Sequence, residues 1–408
     1  MRTVYVDNNA TTAIAPEVLQ AMLPYFKENY FNPSSMYDQA RGAADAVTRA
    51  RQVIATIFGG IAPDEILFTS CATESNNTAI LGAVKANPHK KHIITTAVEH
   101  PAVLEVCRDL QRNGYEVTFL PVDASGQIEI GDFISALRMD TLLVTIMHAN
   151  NETGVIFPIA DYARIVKETN PEIIFHTDAT QTVGKLPIDL KNELNHIDML
   201  SFSGHKLHAP KGVGALYIRR GTPCRPFLIG GHQEKGRRAG TENVPYIVGL
   251  ATAVELAQKN HDPDEHRIKA LRDRLEQTLT EKISYIEING QGAPRLSNTL
   301  NVAIHYIEGE GILFQLNQHG ICASSGSACT SGSLDPSHVL KAMHIHFTAA
   351  HGSVRFSLSR YNTEADIDHV SQVFPQVVAN LRKMSPYWDQ KNNKPREDIK
   401  LVDTKHQE

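Results

Sequence analysis

Between Ile66 and Ile218, short apolar runs of strand length alternate with helical patterns, and this alternation constrains the fold more than any other feature of the chain. The strand-like runs are Ile66–Thr69, Ile93–Thr95, Val117–Leu120, Leu142–Ile146, Ile173–His176, Met199–Phe202 and Gly214–Ile218. Helical patterns begin near Glu74, Ala102, Asp132 and Ile159, in the gaps between the first five of them. Such a sequence of elements implies an α/β fold: a largely parallel sheet covered on both faces, with ligands at the carboxyl ends of its strands. A strand at Val4–Val6, a helix opening at Pro16 and a helix over Tyr37–Phe58 precede this region. Two helical patterns, Val244–Lys259 and Glu265–Lys282, lead out of it. Beyond them come a strand at Leu300–Ile304, a helix over Gly311–Gln318, a strand at Ser353–Leu358 and a helix over Glu364–Lys383, which reads as a smaller α+β domain with its boundary near residue 260. The polar, aperiodic stretch from Gln390 to Glu408 is expected to be disordered.

Composition agrees with two domains in a soluble globular chain: 408 residues, 42% hydrophobic and 21% charged. A net charge of -5 with no long basic block argues against nucleic acid and anionic membranes as partners. The start of the sequence lacks the apolar core of a secretion signal and no apolar run is long enough to span a bilayer, so the expected location is cytoplasmic. The five cysteines are odd in number and widely spaced, which disfavours a disulfide framework or a zinc site. Cys71, Cys107, Cys224 and Cys322 read as small packed hydrophobes.

The polar residues cluster at the ends of the strands. Lys206, in Ser201-Phe-Ser-Gly-His-Lys206, stands beside Ser203 and His205 and ahead of Gly212 and Gly214; it is either a reactive amine beside a phosphate or a solvent-facing lysine. Pyridoxal phosphate needs such a lysine, an acid on its ring nitrogen, a phosphate cradle and a group against its ring. Asp178, in His-Thr-Asp-Ala-Thr-Gln181, suits the acid, or else an N-cap; Gln181 suits a donor to the ring oxygen. Thr69-Ser-Cys-Ala-Thr73 lies between a strand and a helix, where backbone N–H groups bind anions and where a capping box is the alternative. His100 follows a strand at the same sheet edge. Arg355 has its neighbours on the opposite face of its strand and suits either a substrate carboxylate or a surface ion pair. Thr241 closes a glycine-rich polar loop from Gly230 and is placed to reach a phosphate. Ala323–Ser333 holds only small residues around Cys329: either a linker or a loop about 35 Å in contour that presents one thiol. His344, His346 and His351 lack a carboxylate or cysteine at ligand spacing, so no metal site is read there.

Together, Ser-Gly-His-Lys206-Leu-His-Ala-Pro-Lys-Gly-Val-Gly, His-Thr-Asp178-Ala-Thr-Gln181, Ala-Asn-Asn151-Glu-Thr-Gly, Arg-Arg-Ala-Gly-Thr241-Glu-Asn and Ser-Ser-Gly-Ser-Ala-Cys329-Thr-Ser-Gly-Ser resemble the pyridoxal-phosphate cysteine desulfurases of NifS type, from Tyr5 to about Trp388. The resemblance implies a fold-type I, class V transferase: a large domain with a mostly parallel seven-stranded sheet over residues 13–260, and a small domain of residues 1–12 and 261–388 carrying the Cys329 loop. It implies a homodimer in which Thr241 reaches the cofactor phosphate of a second copy. It places pyridoxal phosphate on Lys206, Asp178 on the ring nitrogen, Gln181 on the ring oxygen and His100 over the ring. Ala72, Thr73, Asn151, Ser203, Gly204 and His205 are further cofactor contacts, while Asn151 and Arg355 hold the substrate. Lys206 and His100 act in catalysis and Cys329 is the nucleophile, its thiolate favoured by nearby cations such as His100. The implied reaction takes L-cysteine to L-alanine and leaves the sulfur as a persulfide on Cys329. That sulfur then passes to an iron-sulfur scaffold protein and, in the NifS branch, to nitrogenase metalloclusters. Cys329 is also implied as the contact of a transient iron-sulfur cluster. An aminotransferase or lyase of the same fold would not need Cys329; a bare sulfur carrier would not need Lys206 or Asp178.

Overall fold

The computed structural model describes residues 2–325 and 336–396. Strand β1 (Val4–Tyr5) leads into helices α1 (Pro16–Met22), α2 (Pro24–Lys27) and α3 (Asp38–Ile57). The alternating region follows as β2 (Ile66–Thr69), α4 (Ala72–Ala86), β3 (His92–Thr96), α5 (Pro101–Arg112), β4 (Glu116–Leu120), α6 (Ile130–Ala136), β5 (Thr141–Thr145), α7 (Ile159–Thr169), β6 (Ile174–Asp178), β7 (Met199–Ser203) and β8 (Gly214–Ile218), then α8 (Val244–Lys259). The remainder is α9 (His261–Lys282), β9 (Ile286–Ile288), β10 (Thr299–Ile304), α10 (Gly309–Gln318), β11 (Ile321–Cys322), α11 (His338–Ala342), α12 (Phe347–His351), β12 (Ser353–Ser357), α13 (Glu364–Met384) and the hairpin strands β13 (Trp388–Asp389) and β14 (Lys394–Pro395).

The expected seven-stranded sheet is present, in the order β2-β8-β7-β6-β5-β3-β4. All neighbours run parallel except β8, which is antiparallel to both β2 and β7. The reason is length: β7 and β8 are joined by residues 204–213, fewer than the dozen or so that a parallel crossover needs. Adjacent strand residues bury on opposite faces. Ile66, Phe175, Leu200 and Tyr217 pack with α3, α7 and α8, whereas Leu67, Ile174, Met199 and Leu216 pack with α4 and α5.

A separate apolar core forms around the antiparallel sheet β12-β10-β9, packed by α9, α10 and α13 and joined by Val4 and Val6. Strand β1 pairs in parallel with β11, tying the amino-terminal segment to this core. Val254 of α8 belongs to the first core and Ile268 of α9 to this one, with Asn260 as the N-cap between the helices. Structure continues past residue 388, contrary to the expectation of a disordered tail from that point. Trp388 is buried, with the Arg382 guanidinium 4.1 Å from its ring centroid, and β13 pairs with β14. Residues 397–408 lie outside the described residues. Among the described residues no helix is long and apolar enough to cross a membrane.

Candidate active site

A cavity of about 810 Å³ opens at the carboxyl end of the large sheet. Lys206, Asp178, Gln181, His100, Asn151, Ala72, Thr73, Ser203, His205 and Arg355 all lie on its wall. The strand register explains why. Asp178, the last residue of β6, pairs with Ser201 on the adjacent strand, so β7 runs on past it to Ser203, and Lys206 follows in a short 3-10 turn at Gly204–Lys206. Gly204 is not on the wall; a Cβ there would come within 2.9 Å of the Ala209 methyl, so its part is to let the turn close. Thr241 is exposed and is also absent from the wall of this chain's cavity. Cys329 lies outside the described residues, but Pro336, Ser337, His338 and Lys341, which follow its segment, line the cavity.

Asp178 is buried, and its carboxylate accepts from the Asn76 side-chain Nδ2 at 2.7 Å and from the Thr180 backbone N–H at 2.9 Å. The two donors hold the carboxylate on a fixed heading. The Lys206 Nζ donates to the backbone oxygens of Asn9 and Ala10 at 2.6 and 2.7 Å. Helix α4 begins at Ala72 on an extended Cys71, so its first N–H groups, which have no acceptor inside the helix, face the cavity rim. No side chain caps this helix start; Glu74 instead accepts from the Ser70 N–H and from Arg238. Gly214 of β8 keeps that start accessible to the sheet, since a Cβ there would sit 2.9 Å from the Cys71 carbonyl carbon. Cys71 itself lines the cavity, which corrects its reading as a packed hydrophobe.

His100 is the N-cap of α5, its Nδ1 accepting from the Ala102 N–H at 3.1 Å. Burial lowers its pKa, outweighing the opposing pull of Asp178, and Lys206 and His338 lower it further. The imidazole is therefore biased to the neutral form with the proton on Nε2. Burial and the neighbouring Lys206 push His205 down to about 4, so it too is neutral; its Nδ1 meets the Thr11 hydroxyl at 3.1 Å.

Arg355 of β12 crosses from the second core. Its guanidinium donates to the Asn151 carbonyl at 2.9 Å and to Asp7 at 2.8 Å, so it has a carboxylate partner within the chain, and its Nε has none. Asn76 Oδ1, Thr180 Oγ1 and Ser203 Oγ on the same wall are likewise buried without a hydrogen-bond partner among the described residues. Buried polar atoms are nearly always satisfied, so four unpaired ones on residues that line one cavity mark a polar ligand site. With a lysine amine, a fixed carboxylate and a helix start around it, the donor set fits pyridoxal phosphate.

Several participants were not singled out in the sequence. Asn9 receives Lys206 and Gln181 on its carbonyl and sends its amide to Asn151 and Thr299. Asn76 lies three residues after Thr73, one helical turn along the same face, which is the signal that would have found it. Glu152 lines the cavity and accepts from the Ser337 hydroxyl at 2.5 Å; burial lifts it to about 7. Glu99, buried behind His100, is lifted to about 8 for the same reason.

A mostly parallel sheet, a lysine in the turn after β7 and an acid at the end of the neighbouring β6 suit a pyridoxal-phosphate enzyme, and the aminotransferase class-V family model matches residues 4–370, which gives the class. The chain is 57% identical over 387 residues to cysteine desulfurase 2 of Trichormus variabilis, covering 95% of this chain and 96% of that one. It is 54% identical over 398 residues to the cysteine desulfurase NifS of Azotobacter vinelandii, covering 98% of both. A solved NifS-like protein superposes with a TM-score of 0.86 at 39% identity, covering 93% of this chain and all of that one. The chain belongs to the NifS-type cysteine desulfurases, a pyridoxal-phosphate-dependent branch of the class V aminotransferases.

Proposed function

We propose that this chain releases sulfur from L-cysteine, leaving L-alanine, and that the cavity on Lys206 is where it does so. The observation that carries the reading is the convergence of Lys206, Asp178, Gln181, His100 and Arg355 on one wall with four unpaired buried polar atoms. Pyridoxal phosphate bound there supplies an electron sink for the substrate's α-carbon. Lys206 would carry the cofactor and move the α-proton; Asp178 would hold a charge on the ring nitrogen; Gln181 would donate to the ring oxygen; the start of α4 with Ala72 and Thr73, together with Ser203 and His205, would take the phosphate side. His100 would lie against the ring and relay a proton through Nε2. Arg355 and Asn151 orient the substrate, Arg355 exchanging Asp7 for the substrate carboxylate.

The Cys329 thiolate attacks the substrate sulfur. The carbon–sulfur bond breaks with its electron pair left on the three-carbon fragment, a sulfur–sulfur bond forms, and the fragment takes a proton and departs as alanine. The persulfide then feeds an iron-sulfur scaffold, in the nitrogenase branch of cluster assembly, and Cys329 contacts a cluster transiently. The enzyme works in the cytoplasm as a homodimer in which Thr241 serves the cofactor phosphate of the second copy. Residues 13–260 form the large domain, with 1–12 and 261–388 as the small one. Support for the position of Cys329 comes from its flanks: Ser324 pairs with Arg355, and Pro336 to His338 line the cavity.

The test is the visible spectrum of the purified protein before and after L-cysteine, with alanine and sulfide assayed, beside Cys329→Ala. A coloured protein that makes alanine only with Cys329 intact bears the proposal out. Alanine formed equally by Cys329→Ala returns the chain to lyase chemistry, and a colourless protein that takes up no pyridoxal phosphate removes the reading of Lys206.

A further inference from the structure

Lys185 lies four residues after Gln181, beyond the end of β6, and its backbone N–H closes a turn onto the Thr182 carbonyl at 2.8 Å. The turn brings its side chain back over Gln181. Its Nζ is 2.9 Å from the Gln181 backbone oxygen and 3.2 Å from the Gln181 side-chain oxygen. In its charged form the amine only donates, and the amide atom that faces it is the oxygen. The amide nitrogen is thereby turned the other way, toward the large cavity, where it donates to the Asn9 carbonyl at 3.1 Å.

Nothing in the ordinary economy of a folded chain requires a lysine here. Among the described residues its Nζ has no carboxylate at ion-pair distance, and burial, Lys206 and Arg355 together push it down to about 7. Asp264 and Glu265 line the same small cavity of about 80 Å³ as Lys185 and Lys206, yet Asp264 is paired with Arg360 at 3.2 Å. His261 spends its Nε2 on the Lys185 backbone oxygen at 3.1 Å. A part-buried amine repelled by two cations, with both its side-chain bonds on one glutamine, is maintained against an electrostatic cost.

We propose that Lys185 is a positioning residue: its ammonium pins the amide oxygen of Gln181 so that the amide nitrogen points at the ring oxygen of pyridoxal phosphate. The inference rests on the reading above that the large cavity takes this cofactor. Without the pin, only the Asn9 carbonyl, 3.1 Å from the amide nitrogen, still holds this orientation, and a flipped amide would offer its oxygen, which repels the ring oxygen instead of donating to it. Lys185 thus acts through Gln181 and touches neither substrate nor cofactor.

The experiment titrates apo-protein with pyridoxal phosphate and records the visible band of the loaded protein for wild type, Lys185→Met, Gln181→Ala and the double variant. Lys185→Met is expected to shift the band in the same direction as Gln181→Ala and to raise the Kd for pyridoxal phosphate about five- to tenfold, one hydrogen bond's worth. The double variant is expected to match Gln181→Ala alone, because the lysine has nothing left to position. A wild-type band and Kd in Lys185→Met overturn the proposal, as do effects that multiply in the double variant. A wild type that binds no pyridoxal phosphate would instead sink the cofactor reading, so the two failures are told apart. Should Lys185→Met not fold, a crystal structure of the wild-type holoenzyme decides: Nζ on the Gln181 side-chain oxygen supports the proposal, and Nζ moved onto Asp264 or Glu265 overturns it.

Discussion

The two cores of this molecule are built on opposite plans. The seven-stranded sheet ends its strands in polar and titratable side chains: His176 and Asp178 on β6, Ser201 and Ser203 on β7, with Glu99 and His100 just past β3. The three-stranded core around Leu275, Val302, Phe356 and Phe374 is almost wholly apolar and sends one charged side chain, Arg355, to the cavity. A parallel sheet aligns every strand's carboxyl end along one edge, so chemistry can gather there; an antiparallel sheet has no such edge. On the proposed function, the first region would hold the cofactor-side groups, Lys206 and Asp178, while the second would supply Arg355 to the substrate and carry the Cys329 segment.

The sharpest test of that division is Lys206→Ala, which should lower alanine formation about 10⁴-fold while thermal unfolding changes little; an active variant would place the chemistry elsewhere. Asp178→Ala comes next, with a loss of about 10²–10³-fold in kcat, since its charge is held by two donors for a single purpose. Arg355→Ala, from the other core, should act mainly on KM, raising it about 10–100-fold. A pure kcat effect would break the comparison by giving Arg355 a part in the reacting centre instead of in holding the substrate. Leu275→Ala, fully buried in the apolar core, should cost about 2–5 kcal/mol of stability and leave KM unchanged in the folded fraction.

The smallest effect is one of pH. Glu152 is lifted by burial to about 7 from the ordinary 4.5, so the folded chain keeps a proton that the unfolded chain gives up. The stability this group lends is present in full below about 4.5 and is lost as pH rises toward 7. Glu152→Gln should flatten that slope, gaining on the order of 2–3 kcal/mol relative to wild type between acid and pH 8 in denaturant titrations. An unchanged slope would mean that Ser337 and Arg355 already hold the ionised form.

Much of this was legible in the chain because buried parallel strands read as short apolar runs and because the groups at their ends sit within a few residues of them. Lys206, Asp178, Gln181, His100 and Thr73 all follow a strand directly. Strand direction was not legible: nothing in Gly214–Ile218 tells that β8 runs antiparallel, and only the short connection from β7 reveals it. Contacts across the chain were not legible either. Asn9 meets Lys206 and Thr299, and Asp7 meets Arg355, across separations of 197, 290 and 348 residues that no local pattern encodes. Strand β9 was missed because three residues, of which only Ile288 is buried, carry too little periodicity. Lys185 looked like any other lysine after a turn, since only the fold shows that its amine is turned inward onto Gln181.

The most direct measurement is chemical trapping: reduce the coloured protein with borohydride, digest it and locate the pyridoxyl label by mass spectrometry. The account predicts label on the peptide bearing Lys206 and its disappearance in Lys206→Ala. Label on Lys185, Lys341 or another lysine, with Lys206 unmodified, would contradict it.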